Sequence, residues 1–398
     1  MNTRHIFSLL LLAVLGAETA VAGEWDFTGL LSIDSQTFLQ EARYPGQEDG
    51  ANFSLMAQPE LYWRSDSGFR RLSIVGFARA DAHDSERSHA DLREAYWAID
   101  GDGWDLNVGL NKMFWGVAES RHLVDVINQT DLVEDIDQEA KLGQPMVNFN
   151  LDLDYGRFEI FVLPGFRERT FPGAGGRFRT PLPVDTDAAI FESSAKENHV
   201  DLAFRYSHFF SDVDIGVHVF DGTSREPHFQ IAQEGDRLLP VYEQMTQVGV
   251  DLQYTRDAWL WKLEAMYRDS SSDAFAAAVA GLEYTFYGVR ESSADIGFLM
   301  EYLHDGRNND APPTAFDNDL FVGGRLALND ASDTSLLAGI ATDIDTGELF
   351  MNIEAERRIG DNLSMELRLR AFTNADANDS LYTIENDDYL QLRLSWYY

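Results

Sequence analysis

The segment 104–154, WDLNVGLNKMFWGVAESRHLVDVINQTDLVEDIDQEAKLGQPMVNFNLDLD, holds two regular pieces around an irregular one. From Trp104 to Trp115, Leu106, Val108 and Leu110 alternate with Asp105, Asn107, Gly109 and Asn111. From Val147 to Asp154 the same alternation returns, with Val147, Phe149 and Leu151 between Asn148, Asn150 and Asp152. A period of two is the mark of a half-buried strand. Between the two pieces runs a long polar connection with seven acidic residues from Glu119 to Glu139. A connection that long in a regular β chain is usually functional or disordered.

The period of two governs the rest of the chain from Trp25 onward. Phe53, Leu55, Ala57, Leu61 and Trp63 alternate with Ser54, Gln58, Glu60 and Arg64. Leu363, Met365, Leu367 and Leu369 alternate with Ser364, Glu366, Arg368 and Arg370. Such segments number about 18, each of roughly ten residues, the length of a tilted membrane strand. No composition shift marks a second domain. The connections sort by length. Ser65–Gly68, Gly101–Gly103, Tyr155–Gly156, Ser211–Asp212, Arg256–Asp257, Asn329–Asp333 and Gly360–Asn362 carry turn residues. Most of those between them are long and polar: Glu41–Gly50, Val117–Pro145, Gly165–Asn198, Gly222–Pro240, Asp305–Asn318 and Asn374–Asp387. Tight periplasmic turns with long extracellular loops are the pattern of a bacterial outer-membrane barrel. The fold expected is therefore all-β: a transmembrane antiparallel β-barrel of about 18 strands, with 16 as the alternative count.

The bulk numbers agree. The chain has 398 residues, no cysteine, a net charge of -36 and a mean hydropathy of -0.28. No internal apolar run approaches the roughly 18–20 residues of a membrane helix. Without cysteine there is no disulfide scaffold and little scope for a zinc site. The acidic excess argues against a nucleic-acid partner, since neutralising phosphates takes a basic surface. Residues 1–22 combine Arg4, an apolar stretch from Ile6 to Leu15, and Ala20-Val21-Ala22. This predicts a cleaved secretory signal, leaving 23–398 as a single barrel domain.

Eight tryptophans fall near predicted strand ends, seven of them at the short-turn end and Trp115 at the other. Indole favours the headgroup level of a bilayer, so a girdle is expected. The last strand, Tyr389-Leu-Gln-Leu-Arg-Leu-Ser-Trp-Tyr-Tyr398, alternates strictly and ends on an aromatic residue. It resembles the C-terminal signal by which Gram-negative barrels engage the assembly machinery, with tyrosine in place of the usual phenylalanine.

An arginine facing lipid costs about 2–4 kcal/mol at the bilayer midplane. Arg71, Arg79, Arg205, Arg325, Arg368 and Arg370 are accordingly expected on the lumen wall. A barrel of this size holds water rather than only side chains. The 117–145 loop is then expected to narrow the pore, through Glu119, Arg121, Asp125, Asn128, Asp131 and Glu134. An acidic loop facing an arginine wall would set a transverse field. Leu123, Val124, Ile127 and Leu132 are spaced for a short helix with one apolar side on the wall.

Leu92-Arg-Glu-Ala-Tyr-Trp97, Gly109-Leu-Asn-Lys-Met-Phe-Trp-Gly116, Asp125-Val-Ile-Asn128 and Asp131 together resemble a segment of Gram-negative porin families, the phosphate-selective porins among them. The resemblance covers about a tenth of the chain. It implies a trimeric diffusion channel of the outer membrane for small hydrophilic solutes or ions. The chain departs from phosphate-selective porins in having lysine only at Lys112, Lys141, Lys196 and Lys262. Strong anion selectivity is therefore not expected.

Two other readings stand beside the channel. One is a plugged or substrate-specific barrel that binds its solute. The basic loop Phe166–Pro183 could fold inward or meet lipopolysaccharide phosphates. The other is a barrel enzyme, but no G-x-S-x-G occurs and no histidine sits in a nucleophile motif. No catalytic residue, cofactor or metal is expected. Asp305–Asp310 and Asn374–Asp379 offer oxygen ligands but lack the EF-hand pattern.

Overall fold

The computed structural model describes residues 23–376 and 379–398. The predicted signal, 1–22, lies outside the described residues. Eighteen strands form one closed antiparallel ring. In chain order they are β1 (Gly23–Phe38), β2 (Ala51–Ser65), β3 (Arg70–Asp81), β4 (His89–Asp100), β5 (Trp104–Asn111), β6 (Gln144–Leu153) and β7 (Gly156–Pro164). Then come β9 (Val200–Phe210), β10 (Val213–Thr223), β13 (Gln244–Arg256), β14 (Trp259–Ser270), β15 (Ala274–Phe286) and β16 (Asp295–Asp305). The ring ends with β17 (Asn318–Ala327), β18 (Ser335–Asp343), β19 (Leu349–Ile359), β20 (Leu363–Thr373) and β21 (Tyr389–Tyr397). Three short strands, β8 (Ile190–Phe191), β11 (His228–Ile231) and β12 (Leu238–Tyr242), make a separate small sheet within the long loops.

Closure is made by β21 against β1, with Ser32 opposite Ser395 and Gln36 opposite Gln391. On the inner face the two serine hydroxyls lie 2.8 Å apart and the glutamines are hydrogen-bonded at 3.2 Å. Arg393 crosses to Asp34 at 2.5 Å. Inside a barrel such polar pairs replace the apolar packing of an ordinary core. On the outer face Ile33, Leu392, Leu394 and Trp396 are exposed, as a lipid-facing wall requires. The arginines of β20 point inward and its leucines outward, as the cost of burying arginine in lipid dictates.

Nine connections lie at one end: L1 (39–50), L2 (82–88), L3 (112–143), L4 (165–199), L5 (224–243), L6 (271–273), L7 (306–317), L8 (344–348) and L9 (374–388). The other end carries the turns and both described ends of the ring. The sorting by length has exceptions. L6 has three residues and L8 five, while the connections 287–294 and 328–334 at the turn end are longer than a tight turn.

Aromatic rings collect at the turn end. Tyr254, Trp261, Trp259, Tyr284, Phe286 and Phe298 form a chain of neighbours with centroids 4.6 to 6.0 Å apart. Trp63 stacks on Trp97 at 5.2 Å beneath Trp25. Trp115 is no part of a girdle. It is buried inside the barrel, 5.5 Å from Phe161 and 5.0 Å from His218. Strand β5 ends at Asn111, short of the expected Trp115, because the side chain of Asn128 takes over the ladder. Its Nδ2 donates to the carbonyl of Asn111, and its Oδ1 accepts from the backbone N–H of Met113, at 2.9 and 2.8 Å.

Candidate channel constriction

L3 folds into the barrel. It leaves β5 at Asn111 and rejoins β6 at Gln144, and Asn128 closes its neck by also donating to the carbonyl of Leu142 at 2.9 Å. From there the loop reaches the walls in three places. The backbone N–H groups of Val117 and Ala118 donate to Glu264 of β14 at 2.7 and 2.9 Å. Those of Glu119 and Ser120 donate to Glu301 of β16 at 2.9 and 2.8 Å. Next, Val124, Val126 and Ile127 pack with Phe161, Leu163, Ala203, Phe220 and Met245 of β7, β9, β10 and β13. Finally the tip turns back: Asp131 meets Arg93 of β4 at 2.5 Å and Glu134 meets Arg79 of β3 at 2.7 Å. Asp135 meets both Arg368 and Arg370 of β20, and Asp137 lies 2.7 Å from Arg370. β9 is the eighth barrel strand and β20 the seventeenth, so L3 spans opposite walls of the ring. Leu123, Val124 and Ile127 pack on the wall, but no helix forms among them; the backbone is instead held by the wall carboxylates.

Most of the expected charges are paired. Arg79 is sealed between Asp34, Ser54 and Glu134. Arg368 and Arg370 also reach Glu354, at 3.0 and 3.2 Å. Arg325 meets Glu119 at 2.7 Å. The acidic loop therefore contacts the arginine wall directly. Burial alone would raise the Asp135 carboxyl, and Arg370 and Arg368 outweigh that and hold it well below the usual range. Burial and then the charge of Asp135 push Asp137 up to about 6. Arg71 and Arg205 do not meet L3 through an ion pair. Arg71 pairs with Asp100 at 2.7 Å, and Arg205 pairs with Asp251 at 2.7 Å and lies over the Trp115 ring. Asp125 and Asn128 serve L3 itself: the Asp125 side chain is only 1% accessible, pairs with Lys141 at 3.1 Å and accepts the backbone N–H of Trp115.

Two arrangements lie beyond the sequence reading, although alternation places Glu264 and Glu301 inward and Arg121 is expected in the constriction. The first is the pair Glu264 and Glu301, which sit on inward positions among Met266, Leu299 and Leu303. A lone carboxylate among apolar inward neighbours signals a captured backbone partner, because it would otherwise be buried unpaired. The second is a cluster from four loops and a strand. Arg121 of L3, Arg169 of L4, Arg307 of L7 and Arg268 of β14 surround Glu226 of L5. Arg121 and Arg307 also bond Asp305, at 3.2 and 2.8 Å. The side chains of Arg121 and Glu226 each keep 17% of their surface accessible. Four guanidinium groups against two carboxylates leave a positive surplus there.

His122 fastens the first half of L3. It lies 3.8 Å from Glu264 and 3.9 Å from Glu139. Burial disfavours the charged ring, but Glu139 and Glu264 prevail and raise it to about 9. A pKa above the free value of about 6.5 contributes stability that is full below pH ~6.5 and fades as pH rises through about 9. Glu139 is largely exposed, so its share is screened and the pair with buried Glu264 dominates. Wild-type protein in detergent should therefore lose resistance to heat unfolding between about pH 7 and 10 relative to His122→Leu, by about 1 kcal/mol. Parallel pH profiles for the two proteins, read by gel mobility after heating, would remove His122 from this role.

The chain matches no known protein family, and no curated protein matches it. Solved structures do. A BenF-like porin from Pseudomonas fluorescens Pf-5 aligns with a TM-score of 0.54 at 10% identity, over 94% of this chain and 98% of that one. Pseudomonas aeruginosa OccK3 (OpdO) aligns with a TM-score of 0.53 at 11% identity, over 94% and 96%. Wzi, a carbohydrate-binding outer-membrane β-barrel involved in group 1 capsule assembly in Escherichia coli, gives 0.53 at 10% identity, over 98% and 87%. At such identities the likeness is one of fold, and the chain is a porin-like closed β-barrel of eighteen strands.

Proposed function

We propose that the protein is an outer-membrane channel through which small hydrophilic or charged solutes diffuse passively, narrowed by the 117–145 loop. The observation that supports this reading is the path of L3 across the ring, from Glu264 and Glu301 to Arg368 and Arg370, with Arg121 and Glu226 partly accessible beside it. Residues 1–22 are its export signal and 23–398 its single barrel domain. L1 to L9 face the exterior, near lipopolysaccharide, and the C-terminal strand engages the assembly machinery. The working unit is a homotrimer. The arginine surplus around Glu226 makes small anions more permeant than cations, despite the shortage of lysine.

The test is single-channel recording in a planar bilayer. Discrete ohmic steps are expected, with a reversal potential in a salt gradient that favours the anion. Silence at every applied voltage would sink the channel. Equal permeability of both ions would keep the pore and discard the anion preference. A second reading is a plugged barrel that binds its solute. It is favoured by Arg177 of L4, which ties Asp387 of L9 at 2.6 Å and joins loops across the mouth. Silent bilayers together with saturable solute binding would select it.

A further inference from the structure

Away from L3, the loop end holds an inward-facing group of carboxylates with no counter-charge. Asp319 on β17 stands directly opposite Asp343 on β18 in the strand register. Like charges in that position repel. Asp317, two residues before Asp319, joins them, and one oxygen of each of the three lies within 4.8 Å of the others. Asp319 is 3% exposed, and its Oδ2 is sealed from solvent without any hydrogen-bond donor. Buried Glu348 of L8 and Asp379 of L9 add to the same negative field. Among the described residues, none of these five has an arginine, lysine or histidine partner. The wall carboxylates near Arg79, Arg368 and Arg370 are compensated by such pairs. An uncompensated carboxylate out of water is costly enough that it either takes up a proton or binds a cation.

The geometry favours a cation. Asp343 spends only Oδ1 on its own loop, accepting from the N–H groups of Asp345 and Thr346 and from the Thr346 hydroxyl. Its second oxygen is left for the group. Oxygens bound to calcium at about 2.3–2.6 Å stand up to about 5 Å apart across the ion, which spans the observed spacing. Magnesium demands near-ideal octahedral geometry and gives up its waters reluctantly, so an irregular set of three carboxylates suits calcium better. The ligands come from two strands and a loop end, not from one contiguous segment, and so carry no EF-hand signature.

We propose that Asp317, Asp319 and Asp343 form a binding site for a calcium-like divalent cation, which fastens the end of L7 to the ends of β17 and β18. The ion relieves the cross-strand repulsion and closes this side of the rim. The test uses the full protein in detergent, stripped with EGTA, and calcium chloride followed by calorimetry. One saturable site is expected, with Kd on the order of 10⁻⁴–10⁻³ M as in extracellular calcium modules. Asp319→Asn and Asp343→Asn should each weaken it at least tenfold, with magnesium binding more weakly than calcium. Asp310→Asn, an exposed acid of L7, should leave it unchanged. Gel mobility before and after heating confirms that each variant forms the barrel. Should the buried variants fail to form, exposed Asp317→Asn carries the test with the same expected loss. The absence of saturable binding, equal affinity for magnesium, or binding undiminished in the folded variants would overturn the site.

Discussion

Excision of Leu123–Glu134 raises single-channel conductance several-fold while the barrel still forms. The segment removed contains the apolar wall contact of L3, through Val124, Val126 and Ile127, and its crossing toward β3 and β4. The shortened loop can still close, because Asn111 and Gln144 are paired neighbours on adjacent strands. Shortening a loop whose ends are already together carries little entropic cost. The barrel ring itself loses no strand-to-strand hydrogen bond, although Asn128, which caps the end of β5 and closes the neck of L3, goes with the segment. What it loses is cover over Phe161, Leu163 and Phe220, so a lower heat-unfolding midpoint accompanies the wider pore. Bilayer recording reads the first effect and gel mobility after heating the second. Unchanged conductance in a correctly folded variant would place the narrowest point elsewhere, with the arginine cluster between L4, L5 and L7 as the next site to open.

That the excision can be specified at all reflects what the sequence discloses. Each strand announces itself through a period of two, and the penalty for arginine in lipid decides which face is inward, as on β20. The long L3 stands out by length and charge. Its partners do not. Alternation places Arg368, Glu264 and Glu301 on the inner wall, but it does not say which loop atom each will find. Glu264 captures backbone N–H groups, which have no side-chain signature. Asp125 and Asn128 look like pore residues by composition and are internal struts by geometry. Trp115 reads as a girdle residue because its strand seems to continue. It turns inward because Asn128, thirteen residues on, ends that strand. The Asp319–Asp343 pair depends on the register between two strands, which no local pattern encodes.

Replacing both Arg368 and Arg370 with alanine should free the Asp135–Asp137 part of the L3 tip without deleting any of it, while Asp131 and Glu134 keep Arg93 and Arg79. Arg370 is almost fully buried and touches Asp135, Asp137 and Glu354; Arg368 touches Asp135, Glu354 and Glu366. Without them Asp135, Asp137 and Glu354 share a confined site with no arginine beside them, and Glu366 keeps only Arg393. Removing one side of a buried pair costs about 3–5 kcal/mol, because the remaining charge is stranded. Each 1.4 kcal/mol is about tenfold in an equilibrium, so the attached state of this part would fall in population by a hundredfold or more. That part would then sample open positions while the neck of L3, held by Asn128, and its first half, held by Glu264 and Glu301, stay in place. The expected record is an unstable, flickering conductance with a mean above wild type, unlike the steady wide pore of the excision. Adding Asp135→Asn and Asp137→Asn to the double variant should restore much of the quiet state, since the stranded charges are gone. A quiet double variant of wild-type conductance would mean that the L3 tip neither needs these arginines nor bounds the pore. Flicker that survives the added asparagines would trace it to lost packing around Arg370 rather than to charge.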